Sequence, residues 1–291
     1  MIYNGIKKID LHMHTTISDG TNTLSEILAA VKDFNIDIFS VTDHDSILGG
    51  IEMPKFLMEN DPKFIRGVEF SCRDNEGKYH ILGYGYDPDD DGLLKVVNKG
   101  HSFRLEKVAA RLKYLKEEFG FEFSKEDIEE LMAKENPGKP HIGNMMVKYG
   151  YAPSRDIAIK EYINKKKFKN VFIKPEEAIE GILSGGGIPI LAHPIYGSGE
   201  ELILGDEMEE RLKKLMGFGI QGVEAFYSGF TEKMKLEMLN LAEKYNLFVT
   251  AGSDYHGKNK LVVLGDNNLD DIKEGPKGLY DFLDKVSCVN P

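Results

Sequence analysis

Apolar and polar positions change rhythm several times along this chain, and each rhythm predicts an element. Ile6 to His12 alternates and ends in His-x-His, as a strand end does. Thr23-Leu-Ser-Glu26 has the form of a capping box, in which the Thr hydroxyl and the Glu carboxylate satisfy free backbone N–H groups. It opens a helix with helical apolar spacing to about Phe34. Residues 36–42 (IDIFSVT) predict a buried strand, and a helical stretch follows Ser46. Phe64 to Cys72 and Tyr79 to Gly85 predict two more strands, joined by a turn at 74–77. Strand alternating with helix is the pattern of a parallel α/β sheet or barrel.

From about Gly92 to Lys167 the pattern becomes wholly helical, with charged faces and a long amphipathic stretch from Arg104 to Phe119. Gly120 and Pro137-Gly138-Lys139-Pro140 punctuate it. Residues 1–91 and 168–291 are therefore expected to form one α/β domain, and residues 92–167 a helical insert. Alternation resumes at Pro175, a plausible first helical residue, with strands predicted at 188–192, 222–226 and 247–251. Helices are expected around 207–216, over 232–245 and over 278–286.

Composition narrows the function classes. The 291 residues are 41% hydrophobic, which suits a globular chain. A net charge of −11 supplies no general footprint for duplex DNA, whose affinity comes from cations that neutralise phosphates. A small or single-stranded phosphate ester remains compatible, if a local pocket with metal ions supplies the positive charge. The two cysteines, Cys72 and Cys288, make no disulfide framework. No run approaches the roughly 18 apolar residues of a spanning helix, and the first ten residues lack a signal-peptide core, so a soluble cytoplasmic protein without membrane contact is expected.

The chemistry lies in where the histidines fall. Six of eight sit at or just after a predicted strand end: His12, His14, His44, His80, His193 and His256. Asp19, Asp43, Glu69 and Asp254 accompany them. In a parallel barrel the carboxyl ends of the strands converge on one face, so residues far apart in sequence would meet. His12 and His14, two apart on a strand, point to one side. Imidazoles with carboxylates form the ligand set for Zn, Mn or Fe ions, and there are more groups here than one ion uses. Glu69, with two oxygens, could bridge two ions, and closely spaced ions suit phosphoester hydrolysis. Any single one of these histidines reads more readily as a hydrogen-bonded structural residue than as a ligand, and it is the set of six that points to metal. Asp43 and Asp45 read as helix caps and stand outside the ligand set.

Ile9-Asp-Leu-His12-Met-His14-Thr-Thr, Ser18-Asp19-Gly20 and Val41-Thr-Asp-His44 resemble the opening motifs of the PHP (polymerase and histidinol phosphatase) superfamily. Gly67-Val-Glu69, His80, Leu191-Ala-His193-Pro194 and Gly252-Ser-Asp254-Tyr-His256 resemble its later motifs, in order. The resemblance implies a distorted (β/α)7 TIM-like barrel with two to three divalent ions (Mn²⁺, Fe²⁺ or Zn²⁺). It implies that His12, His14, Glu69 and Asp254 hold one ion, Glu69, His80 and His193 a second, and Asp19, His44 and His256 a third. Asp19, Glu69, His193 and His256 are the residues it places nearest the reaction. The helical insert resembles that of the nucleotide phosphoesterase and 5′–3′ exoribonuclease-like subgroup, where it caps the site and its basic residues face the substrate phosphate. Arg104, Lys107 and Lys139-Pro-His141 correspond to those residues, with Lys where that subgroup usually has Arg at 107 and 139. Arg104 and Lys107 read alternatively as a solvated helix face, and His141 as a local cap.

The implied activity is hydrolysis of a phosphomonoester of a nucleotide or short single-stranded oligonucleotide by metal-activated water. The alternatives are a histidinol-phosphate-type phosphatase, a metal hydrolase acting on C–N bonds, and a non-catalytic accessory module of a larger assembly.

Overall fold

Three very short strands open the chain: β1 (Ile9–Asp10), β2 (Ile38–Phe39) and β3 (Lys63–Phe64), paired in parallel in that order. This is a computed structural model, and it describes residues 6–196 and 202–289. Between β1 and β2 lies α1 (Leu24–Asp33), with the expected capping box: Thr23 N–H donates to Glu26 at 2.7 Å and Glu26 N–H to the Thr23 hydroxyl at 3.3 Å. Ile27, Leu28 and Val31 on its inner face pack with Phe39, Val41 and Phe64. α2 (Leu48–Glu52) follows β2.

A second sheet runs in the order β4 (Gly67–Arg73), β5 (Lys78–Tyr84), β6 (Ile188–Leu191), β7 (Gly222–Tyr227) and β8 (Phe248–Gly252). The expected run Phe64 to Cys72 is thus two strands in different sheets. The expectation of parallel strands also needs correction, because β5 is antiparallel to both β4 and β6. The turn explains it. Asp74 Oδ1 accepts from the N–H groups of Glu76 and Gly77, closing a hairpin too short for any crossover to a parallel strand. Two seams connect the sheets: Leu11 N–H donates to Ala251 O at 2.9 Å with a bridge from Met13 to Tyr255, and a second bridge joins His44 to Glu69. Among the described residues the ladders form a three-stranded and a five-stranded sheet.

The 29-residue α3 (Asp91–Phe119) begins where the helical region was expected, with Asp90 accepting from Leu93 N–H, and runs unbroken through the stretch from Arg104. Its first half joins the main core through Leu93 and Val96. Its second half, through Val108, Leu112 and Leu115, joins a separate core with Leu131, Ile142 and Met146. That second core is closed by α4 (Lys125–Met132) and α5 (Lys139–Lys148), and by Ala158 and Ile163 after the short α6 (Arg155–Ile157). Gly100 sets how closely α3 approaches the sheet: a Cβ there would lie 2.9 Å from Ile173 Cδ1 and 3.3 Å from Asp45 Cβ. One turn later this places Arg104 against Asp45.

The remaining helices, α7 (Pro175–Ser184), α8 (Gly205–Phe218), α9 (Glu232–Tyr245) and α10 (Lys277–Lys285), carry Ile179, Leu212, Met238 and Phe282 into the main core. None of the described helices is long and apolar enough to cross a membrane.

Candidate metal centre

All nine residues expected as ligands come together at one end of the sheets. His12 and His14 follow β1 and are fully buried. His44 follows β2, His193 follows β6, and Asp254 and His256 follow β8. Glu69 and His80 arrive differently from the expectation, since Glu69 lies inside β4 and His80 near the start of β5. Because β5 is reversed, its beginning lies beside the end of β6, with Ile81 opposite Leu191.

Glu69 is the centre. Its Oε1 lies 2.8 Å from His80 Nδ1, 3.2 Å from His193 Nε2 and 3.4 Å from His12 Nε2. Its Oε2 lies 3.0 Å from His44 Nδ1 and 3.2 Å from His14 Nε2. Asp254 Oδ1 lies 3.4 Å from both His14 Nε2 and His256 Nδ1, and Asp19 Oδ1 3.2 Å from His256 Nε2. Four overlapping groups have donor atoms within 4.8 Å of one another: His14, Asp19, His44 and His256; His12, His14 and Asp254; His12, Glu69 and His193; and His44, Glu69 and His80.

Two observations show that this donor set fits metal ions. First, His12 Nε2, His14 Nε2, His44 Nδ1 and Glu69 Oε2 are buried without a hydrogen-bond partner, and all four belong to the cluster. Orphaned buried polar atoms are costly unless something binds them. Second, the local field favours a cation. Burial alone would depress His12, yet Glu224, Glu69 and Asp254 outweigh it and raise it well above an ordinary imidazole. Burial opposes charge on His44 too, but Glu69 and Asp19 raise it to about 9. Burial would raise Glu69, yet His80, His44 and His12 hold it well below the usual carboxylate range. A field that binds protons this tightly also binds divalent ions, in competition with those protons.

A ring of supporting groups was not identified from the sequence. Glu224, fully buried in β7, accepts from His12 Nδ1 at 2.9 Å through Oε1 and from the His193 N–H at 2.8 Å through Oε2. The only sequence signal is an acid inside the apolar run GVEAFY. Tyr227 Oη donates to Asp254 Oδ2 at 2.9 Å, and Lys260 Nζ also reaches that oxygen. The Asp43 carboxylate takes the Thr15 N–H and hydroxyl and the Ser18 hydroxyl, so it braces the loop after β1 and caps no helix. His193 and Asp254 carry positive φ values of 27° and 57°, strained for residues other than glycine, as is common where side chains must be aimed.

Asp45, expected as a cap, instead grips Arg104, whose Nε and Nη2 donate to Oδ2 at 2.7 and 2.6 Å. Arg104 is therefore not a solvated helix residue. Lys107 lies 4.8 Å from the Phe172 ring centroid, and burial together with Arg104 pushes it down to about 8. His141 Nδ1 accepts from Gly138 N–H at 3.2 Å, so this ring does cap α5. In the neutral ring Nε2 then bears the hydrogen. Burial and Lys134 lower His141, which keeps it neutral near pH 7. Arg111, fourth in this basic set with Lys139, was missed because its buried position looks apolar in the helical pattern.

Comparison with known proteins agrees with this geometry. Residues 10–284 match the family model described as PHP domain. A 5′-3′ exoribonuclease of Haemophilus influenzae is 27% identical over 90% of this chain and 94% of its own length. A phosphoribosyl 1,2-cyclic phosphate 1,2-diphosphodiesterase of Eggerthella lenta is 28% identical over 86% of this chain and 94% of its own. Among solved structures, a Bifidobacterium adolescentis protein provisionally described as a metal-dependent phosphoesterase superposes with a TM-score of 0.79 at 24% identity, covering 96% of each chain. At that identity the superposition speaks to the fold.

Proposed function

Because this chain belongs to the PHP domain family, whose model spans nearly all of it, we propose that it is a metal-dependent phosphoesterase acting on ribose phosphates, either nucleotides or short single-stranded oligonucleotides. The observation that carries this reading is the convergence of nine ligand-type side chains, with Glu69 at their centre and four of their buried atoms unpartnered. Both relatives named above act, by their names, on phosphate esters of ribose. The seams between the two sheets support reading the eight strands as a distorted (β/α)7 barrel, with residues 92–167 as its cap.

In this reading His12, His14, Glu69 and Asp254 hold one ion, Glu69, His80 and His193 a second, and Asp19, His44 and His256 a third. Bound divalent ions supply Lewis acidity, a nucleophile at neutral pH and charge stabilisation. The chain's own residues position the substrate. Asp45 fixes the Arg104 fork through Nε and Nη2, leaving Nη1 to meet a phosphoryl oxygen. His141 presents its Nε2–H to the phosphate or to the leaving oxygen as a neutral donor. Lys107 adds positive charge beside Arg104.

Turnover of 3′,5′-bisphosphoadenosine and of histidinol phosphate, measured side by side in Mn²⁺, tests the substrate class. The expected result is a kcat/KM at least about tenfold higher for the bisphosphonucleotide, a difference of about 1.4 kcal/mol in transition-state binding. A preference for histidinol phosphate overturns the ribose assignment.

A further inference from the structure

The donor group of His14, Asp19, His44 and His256 is the most open of the four, with three of its members partly exposed. Three of its ligands stand on irregular backbone. Asp19 lies in the loop between β1 and α1, His44 follows the two-residue β2, and His256 precedes a single turn at Gly257–Asn259. The helical insert grips all three segments.

The first grip is direct. Three consecutive residues after β2 are each met by a side chain of the insert: Asn136 Nδ2 donates to the His44 carbonyl, Arg104 donates to Asp45, and the Ser46 hydroxyl donates to Glu135 Oε1 at 3.0 Å. Asn136 is only 2% exposed. The second grip runs through Asn259. Its Nδ2 donates to the Asp19 carbonyl at 2.6 Å, and its N–H to the His256 carbonyl at 3.3 Å. Arg155, at the start of α6, donates from Nη1 to Asn259 Oδ1 and from Nη2 to Asn259 O at 3.4 Å. With its oxygen taken, the Asn259 amide can offer Asp19 only its NH₂ group. Gly143 of α5 leaves room for Arg155, since a Cβ there would lie 3.0 Å from Arg155 Cγ. The contacts of His12, His80, His193 and Asp254 run instead to Glu69, Glu224, Tyr227 and Lys260, all outside the insert.

We propose that the insert is a working part of the third ion's site: Asn136 and Arg155 are positioning residues that hold the backbone presenting Asp19, His44 and His256, so that this ion binds tightly only while the insert is docked. Neither residue touches an ion or a substrate. The inference rests on the metal assignment above and adds to it that the insert, besides covering the site, sets the occupancy of one ion. Ligands already held in place bind an ion without the cost of ordering their loops.

The test is equilibrium dialysis of the metal-free full chain against Mn²⁺, with bound ions counted by elemental analysis. The wild type is expected to bind three ions. Arg155→Met keeps the aliphatic stem against Gly143 and removes the donors, and it lowers the affinity of the weakest ion by about tenfold or more. The variant then holds two ions at a Mn²⁺ concentration where the wild type holds three, and the two tighter ions keep their affinity within about twofold. Asp19→Asn, which alters a ligand of the third ion alone, weakens the same ion and so identifies it. Arg155→Lys, with an ammonium still able to reach Asn259, recovers part of the loss. Asn259→Ala breaks the same link from the other side, and carries the test if circular dichroism shows that Arg155→Met does not fold. Unchanged affinity for all three ions, or an equal loss at all three, overturns the proposal, as does a wild type that binds only two. A wild type that takes up no Mn²⁺ fails the metal assignment itself.

Discussion

Glu69→Gln lowers phosphate-ester turnover by about a thousandfold or more, several kcal/mol of transition-state stabilisation, while the chain still folds. The substitution keeps the volume and shape of the side chain and removes one charge and one acceptor oxygen. Few side chains here could concentrate so large an effect. Five imidazole nitrogens, from His12, His14, His44, His80 and His193, lie within 3.4 Å of its two oxygens. Glu69 belongs to two of the four donor groups, and among the described residues it is the one carboxylate in either. An amide offers one weak acceptor and points two N–H donors at nitrogen atoms that need a cation between them. The check is kcat for an aryl phosphate in saturating Mn²⁺, with circular dichroism to confirm folding. A folded Gln variant with near wild-type turnover would show that Glu69 does not join the metal sites.

Glu224→Gln raises the Mn²⁺ concentration needed for half-maximal activity by about 10- to 100-fold, the usual consequence of losing a partner that orients a metal-binding histidine. Glu224 touches no substrate. Through one oxygen it fixes the tautomer of His12, so that Nε2 faces Glu69 and Asp254, and through the other it holds the backbone of His193. A carboxylate accepts at both oxygens. A glutamine can serve only one of these donors, and its NH₂ group then confronts the other N–H. Turnover at saturating metal falls much less than metal affinity does, which separates positioning from a direct catalytic role. An unchanged metal requirement would leave Glu224 as a packing residue.

The candidate ligands were legible in the sequence because their chemistry is local: His-x-His, Gly-Ser-Asp-x-His and an acid or imidazole after each apolar run mark themselves. Capping was legible only in part: the Thr23 box and the helix over 232–245 are where the residues put them, whereas Asp43 and Asp45 brace the site and cap no helix. Long-range pairing was not legible. The direction of β5 depends on a four-residue turn, and the same periodicity serves either direction. Arg104 and Asp45 are 59 positions apart, and nothing in either segment announces the other. Glu224 is concealed by a buried strand whose other residues are apolar or aromatic, and its role appears only when His12 is found 212 positions away. The lengths of β1 and β2 were overestimated because apolar runs continue past the two residues that actually pair, into loops buried by the site itself.

The most direct measurement is the metal content of the purified chain by elemental analysis, with phosphate-ester turnover before chelation, after it and after Mn²⁺ is restored. Uptake is weaker at pH 6 than at pH 8. His44 is raised to about 9 by Glu69 and Asp19 against its burial, so in the metal-free protein it holds its proton across this range, and an ion that binds there must displace it. The account predicts two to three transition-metal ions per chain, activity lost on chelation and activity recovered with Mn²⁺. A chain that carries no metal, takes up none at pH 8 and hydrolyses no phosphate ester would contradict it.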